Sequence, residues 1–192
     1  VQADLVVAAD GRHSKLRRAF GLYADLAQPS MSIGVAVPAA ALPFADRGHV
    51  FLGAWGPCLA YPVGRDDARV VIDAPLGTRP GKDLANTLLR DHVGVFPTPL
   101  REAVVEGIHQ GRMRFAANHH LVVPRIHVPG GVLIGDANGI VHPLTAAGMT
   151  LSLFDAEQLA AHLTGSGPVR DEAVQRFARR RERFVWARMA LC

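Results

Sequence analysis

Cysteine is nearly missing from this chain: 192 residues hold two, Cys58 and Cys192, far apart and with neither a CxxC pair nor matching histidine spacing. That excludes a disulfide framework and a zinc site, and it suits a reducing compartment. No uncharged apolar run reaches about eighteen residues, and no basic stretch leads into an apolar core and cleavage site. Membrane association is therefore not expected, and cytoplasmic localisation is. Aromatic residues make up only 6%, and few alternate with basic ones, so nucleic acid is not expected as a partner despite a net charge of +4 and a pI near 9.7. No Ser-His-Asp or paired-carboxylate arrangement is readable. Also absent is the GxGxxG cluster that closes the first strand of a dinucleotide-binding unit. The nearest approach, GSGPVR at 165–170, lacks the third glycine and follows a helical stretch.

What is present reads as a folded chain, with 49% hydrophobic and 20% charged residues. ADLVVAAD has the texture of a buried strand. It runs into DGRHSKLRRAFGL, where Gly11 permits a tight turn, Ser14 can cap a helix, and Leu16, Ala19 and Phe20 share one face before Gly21 stops it. Between residues 31 and 75, MSIGVAV, HVFLGAW, CLAYPV and ARVVIDA are consecutive strand-like runs without helices between them, which indicates an antiparallel sheet. Asp66 and Asp67 belong to the turn of its last hairpin. GKDLANTLLRDHVG predicts an amphipathic helix, PLREAVVEGI a shorter one, and RMRFAANHHLVV a further strand in which His119 and His120 point to opposite faces.

The stretch GGVLIGDANGIVHPLTAAGMTLSLFDAEQLAAHL, 130–163, takes an apolar strand into Gly135-Asp136, crosses a loop through His142-Pro143, and starts a long helix on Ala146, Ala147, Gly148 and Met149. A helix start free of bulky side chains leaves its first amides open to an electron-rich ligand. Beyond that first turn, the stripe Met149, Leu153, Ala156, Ala160 and Leu163 is expected in the core. The last segment, DEAVQRFARRRERFVWARM, predicts a helix with Val174, Phe177, Phe184 and Val185 inside and its charges on a solvated face.

Two strand-to-glycine/aspartate-to-helix units thus flank an antiparallel insert, and together they resemble the FAD-dependent aromatic hydroxylase superfamily typified by para-hydroxybenzoate hydroxylase. Asp10, Gly11, Ser14 and Arg17 match that family's second fingerprint, and Gly135, Asp136 and Ala137 its third. His142, Pro143, Leu144 and Thr145, followed by Ala146, Ala147, Gly148, Met149 and Thr150, are most similar to squalene epoxidases and related bacterial monooxygenases, where three glycines stand at 146–148. The resemblance spans roughly residues 4–165.

It implies a mixed α/β (α+β) fold: the remainder of an FAD-binding Rossmann-like domain carrying an antiparallel β-sheet substrate domain as an insert. Residues 1–30 and 118–165 would belong to the FAD-binding part, 31–117 to the substrate domain, and 166–192 to a C-terminal helix. It implies FAD as cofactor, with Asp136 on a ribityl hydroxyl, Gly148 and Met149 against the pyrimidine edge, and Gly135, His142, Pro143 and Ala147 around them. Asp10 and Gly11 would support the pyrophosphate side, and Arg17 would anchor that loop. NAD(P)H would be the reductant, O2 the oxidant, and an apolar or aromatic small molecule the substrate, with Phe51, Trp55 and Tyr61 lining its pocket. One oxygen atom would reach the substrate as hydroxyl or epoxide, with no side chain acting as catalytic acid or base. The alternatives are a reductase resembling geranylgeranyl reductases and an inactive truncated remnant. Because GxGxxG is absent and the chain opens on a strand, the expectation is a fragment whose amino-terminal Rossmann half precedes Val1.

Two departures from the family pattern stand out. Asn138-Gly139 occupies the place where many relatives have Ala-His, and Ala146 and Ala147 replace glycines. The added methyls are expected to favour the helix and to narrow the space beside the flavin.

Overall fold

The computed structural model describes residues 2–78, 82–164 and 171–189, except for the side chains of Lys82 and of 183–189. In chain order the elements are β1 (Val6–Ala8), α1 (Lys15–Ala19), β2 (Leu26–Pro38), β3 (His49–Gly53), β4 (Gly56–Pro62), β5 (Asp67–Pro75), α2 (Lys82–Asp91), α3 (Thr98–His109), β6 (Met113–Val122), β7 (His127–Val128), β8 (Gly131–Leu133), β9 (Gly139–Ile140), α4 (Gly148–Leu163) and α5 (Asp171–Met189). The chain divides into two compact units, Val1–Ala27 with His119–Cys192, and Gln28–Asn118. GSGPVR, Cys192 and the side chains of Phe184 and Val185 lie outside the described residues.

The unit Gln28–Asn118 is built on β3, β4, β5, β2 and β6, side by side in that order. Strict alternation sends Ile33, Val35 and Val37, Cys58 and Ala60, and Ala68, Val70 and Ile72 to one face. That face packs on Leu84 and Leu88 of α2, Phe96, and Leu100, Val104 and Ile108 of α3. The α3 helix, 12 residues long, outruns α2 at 10, the reverse of the sequence expectation. Its proline lies in the first turn, where no amide is lost. Gly107 does not break it, because a Cβ there would meet Val35 Cγ1 at 2.7 Å; the bare position lets α3 rest on β2.

His92 is fully buried beside Trp55, ring centroids 4.3 Å apart, and neither ring nitrogen has a partner among the described residues. Burial lowers its pKa below the ordinary 6.5, and nearby Asp91 opposes this only in part. The unfolded chain then binds the proton more readily than the folded one, so stability is present at neutral pH and falls as pH drops below 6.5 toward the lowered value. Urea midpoints measured at about pH 7.5 and about pH 5 should therefore differ, and the difference should shrink in His92→Leu. An unchanged difference would assign the acid sensitivity elsewhere.

In the other unit β1 runs parallel to β8, with Val6 opposite Gly131 and Ala8 opposite Leu133, and β7 pairs antiparallel on the far side of β8. Ala8, Leu133, Leu159, Val174 and Phe177 are among the residues of its core. Three expectations are corrected here. Val6 and Val7 are each 39% exposed, because β1 is an edge strand in the described sheet and buries only Ala8. The α4 stripe read as core is the outer one: Met149 is 82% and Leu153 74% exposed, Ala156 and Ala160 are exposed too, and only Leu163 is partly covered. The buried face is Leu151, Asp155 and Leu159. Finally, α5 does not keep all its charges in water, since Arg181 is buried with its Nε donating to Asp155 Oδ1 at 2.7 Å. The inward side of α4 thus carries the Asp155–Arg181 pair between two leucines.

Candidate functional site

Asp10 follows β1 and is occupied locally. Its Oδ1 accepts from the Ser14 hydroxyl, and its Oδ2 accepts from the amides of Lys15 at 2.7 Å and Leu16 at 3.2 Å. Burial works to raise the Asp10 pKa, but these hydrogen bonds outweigh it and hold the carboxyl below the ordinary 3.8. Ser14 caps α1 by accepting from Arg17 N at 2.8 Å, as its place in the sequence suggests. Gly11 has φ +80°, which explains glycine at that position.

Arg17 is buried and binds two carbonyls: Nη1 donates to Ala137 O at 2.8 Å and Nη2 to Arg12 O at 3.0 Å. One guanidinium thus joins the Asp10–Gly11 loop to the turn that follows β8. That turn, Gly135–Ala137, is a short 3-10 segment. Gly135 has φ +59°, and a Cβ on it would meet Ser152 Oγ at 2.9 Å. Its amide donates to Asp155 Oδ2 at 2.9 Å, so the carboxylate paired with Arg181 also holds this turn. Asp136 is partly exposed, with Oδ1 4.0 Å from where a Cβ on Gly148 would stand.

His142 opens the turn Pro143–Thr145, its Nδ1 accepting from Leu144 N at 3.4 Å. Ala146 then adopts φ 51°, the left-handed region, and lies before α4, not in it. Its methyl therefore does not favour the helix as expected; it strains the approach to it. Such a backbone costs a non-glycine residue about 1–3 kcal/mol, while glycine loses about 0.4–1 kcal/mol more chain entropy on folding. Ala146→Gly is expected to stabilise by about 1 kcal/mol, read as a raised denaturation midpoint. A lowered midpoint would show that residue 146 does not hold the left-handed conformation.

Ala147 is the N-cap residue of α4 and has no side chain with which to cap it, and no acidic residue occupies the first turn. The sixteen-residue helix thus presents Gly148, Met149 and Thr150 amides without a side-chain cap, next to Asp136. In the Gly135–Ala137 turn's C-cap position, Asn138 is 2% exposed, and neither its Nδ2 nor its Oδ1 has a partner among the described residues. The open helix start with the Asp136 carboxylate next to it is suited to a polar group that can both accept from the amides and donate to the carboxylate.

Asp10, Gly11, Arg17, Gly135, Asp136, His142, Pro143, Ala147, Gly148 and Met149 all fall in the unit Val1–Ala27 with His119–Cys192. Phe51, Trp55 and Tyr61 belong to the other and do not share a face. Phe51 pairs across from Cys58 and meets Phe96 edge-on at 5.2 Å, and Trp55 packs on the same core, whereas Tyr61 alternates with buried Ala60 and points the opposite way. Among the described residues no His, Cys, Asp or Glu group is arranged for a metal ion, and no helix is long and apolar enough to cross a membrane. Sequence reasoning missed Asp155, Arg181 and the side chain of Asn138. Leu151, Asp155 and Leu159 at four-residue spacing were the one available signal for the first; nothing local pointed to its partner.

A family model described as squalene epoxidase matches residues 2–191. Squalene epoxidase 2, mitochondrial, of Arabidopsis thaliana is 35% identical over 156 residues, covering 80% of this chain and 26% of that protein. Squalene epoxidase erg1 of Schizosaccharomyces pombe is 28% identical over 188 residues, covering 97% of this chain and 41% of its own length. The chain thus spans between about a quarter and two fifths of these curated relatives. Among solved structures, Pseudomonas aeruginosa PqsL in complex with 2-aminobenzoylacetate superposes with a TM-score of 0.72 at 25% identity, covering 93% of this chain and 51% of that one. Klebsiella pneumoniae HpxO, complexed with FAD and uric acid, shares the fold with a TM-score of 0.75 at 22% identity, covering 94% and 48%.

Proposed function

Because the chain belongs to the squalene epoxidase family, we propose that it is part of an FAD-dependent monooxygenase that transfers one oxygen atom of O2 to an apolar or aromatic organic substrate, with NAD(P)H as reductant. The observation that carries this reading is the uncapped start of α4 beside Asp136. FAD, when bound, supplies the redox chemistry and the activation of oxygen; the chain supplies position, charge and exclusion of water.

Asp136 is the acceptor for a ribityl hydroxyl. The Gly148 and Met149 amides, at the positive end of the α4 dipole, favour negative charge on the ring held against them. Gly135 and Ala147 give close approach, and His142 with Pro143 shapes the loop leading to that helix. Asp10, Gly11 and Arg17 act one step removed, by fixing the first loop and tying it to the Gly135–Ala137 turn. In the sheet unit, Tyr61 is the member of the aromatic trio we assign to substrate contact, since Phe51 and Trp55 pack on the core.

The whole protein that carries this chain provides the test. With its substrate it should incorporate one labelled atom from dioxygen, and turnover of substrate without oxygen would overturn the monooxygenase reading in favour of a reductase. Asp136→Ala should weaken FAD binding by about 10-fold or more, the worth of a charge-assisted hydrogen bond, as followed by flavin fluorescence quenching. His142→Ala should weaken it less, because its Nδ1 is turned to its own loop, accepting from Leu144 N. Equal or reversed losses would remove Asp136 from this role.

A further inference from the structure

The alternation that buries Cys58, Val70, Ile72 and Val35 against α2 and α3 sends their neighbours to the opposite face of the sheet. There Val50 stands across from Leu59, Leu59 from Val71, and Val71 from Gly34. One row thus runs from the edge strand β3 to β2, inside the sheet, without a polar side chain. Val50 is 64% exposed, and Leu59 and Val71 are partly exposed. Three interstrand spacings make the row about 14 Å long. Apolar side chains exposed singly need no explanation, but a contiguous row of them on one face is suited to an apolar ligand.

Arginines stand at the inner end of the row. The Arg69 side chain leans over Gly34, its Cδ and Cγ 3.5 and 3.9 Å from where a Cβ would stand. On the other side of β2 is β6, with the Arg114 carbonyl 3.9 Å from the same point. Met113 packs on the core, which turns Arg114, the next residue, to the open face. Both arginines are exposed, and neither has an ion-pair partner among the described residues. The acids of this face are placed elsewhere: Asp73 accepts from Asn118 Nδ2 at 2.7 Å, and Asp67 begins β5 at its hairpin. Tyr61 lies directly across from Arg69. A hydrocarbon would use the row and leave both guanidiniums idle, whereas a carboxylate at its end matches the planar fork of an arginine.

We infer that this face takes a substrate with an apolar body and one carboxylate, the body lying along Val50, Leu59 and Val71 and the charge held by Arg69 with Arg114. This rests on the reading above, which places Tyr61 at the substrate, and adds to that substrate an acidic end.

The whole protein is titrated calorimetrically with monomeric dodecanoate, dodecanol and dodecylammonium, which share one tail and carry an anionic, a neutral and a cationic head. Dodecanoate should bind about 10-fold or more tightly than dodecanol, the worth of a charge-assisted hydrogen bond, and dodecylammonium most weakly. Arg69→Met keeps an apolar stem and removes the charge. It should raise the dodecanoate Kd about 10-fold and leave that of dodecanol within about twofold, a split that a merely structural effect would not produce. Arg114→Met should act in the same direction, and it takes over as the test if the first variant does not fold. Leu59→Ser should weaken dodecanoate and dodecanol alike, which puts both tails on the row. Equal affinity for the three heads, equal losses of dodecanoate and dodecanol in Arg69→Met, or no change in Leu59→Ser would each overturn the inference. The labelled-dioxygen experiment tests the underlying reading separately. A protein that binds dodecanoate as expected yet turns over its substrate without oxygen would lose the monooxygenase reading and keep the acid-binding face.

Discussion

Arg181→Met is expected to cost about 3–5 kcal/mol of unfolding free energy, the largest single loss we anticipate in this chain. Asp155 is wholly buried and Arg181 nearly so, with side-chain exposures of 0% and 9%, and methionine leaves the carboxylate in the interior without its cation. Restoring an apolar pair with Asp155→Leu should recover only part of the loss. Asp155 Oδ2 also accepts the Gly135 amide, so the double variant strands a buried donor at a cost of about 1–3 kcal/mol. Urea denaturation of the single and double variants checks both numbers. A loss below about 1 kcal/mol for Arg181→Met would mean that solvent screens the pair and that Asp155 is not buried as described.

Arg17→Ala is expected to cost about 2–4 kcal/mol, because one buried guanidinium satisfies the Ala137 and Arg12 carbonyls and the methyl group satisfies neither. Lysine should rescue little of this. An ammonium on a flexible stem is a compact charge and does not span two carbonyls as the planar fork does. The two variants should therefore cluster in denaturation midpoint well below the wild type. Full rescue by lysine would show that charge alone, and not the bridge between the two loops, matters at this position.

Much of the architecture was legible because it depends on neighbours in sequence. Ser14 caps α1 at the position its spacing suggests, Gly11 holds the positive φ that only glycine adopts without strain, and the runs between 31 and 75 form antiparallel strands whose alternation matches their buried residues. Other readings failed where local rules stop. Ala146 counts as helix-favouring by composition, yet the loop from His142 turns it into the left-handed region before the helix begins. Phe51, Trp55 and Tyr61 look alike as aromatic residues on strands, but register sends the last to the face opposite the first.

By itself, the sequence determined the elements, their order, the two glycine/aspartate loops and the family to which the chain belongs, since each of these is carried by short-range spacing or by residues contiguous in the chain. Only the tertiary structure decided which side of α4 is inside, what Arg17 and Arg181 hold, and that Asn138 is buried. Arg17 reaches across 120 residues to Ala137, and Arg181 across 26 to Asp155. The free energy of a buried charge or amide depends on what the folded chain brings within about 3 Å of it, and no periodicity along the chain encodes that.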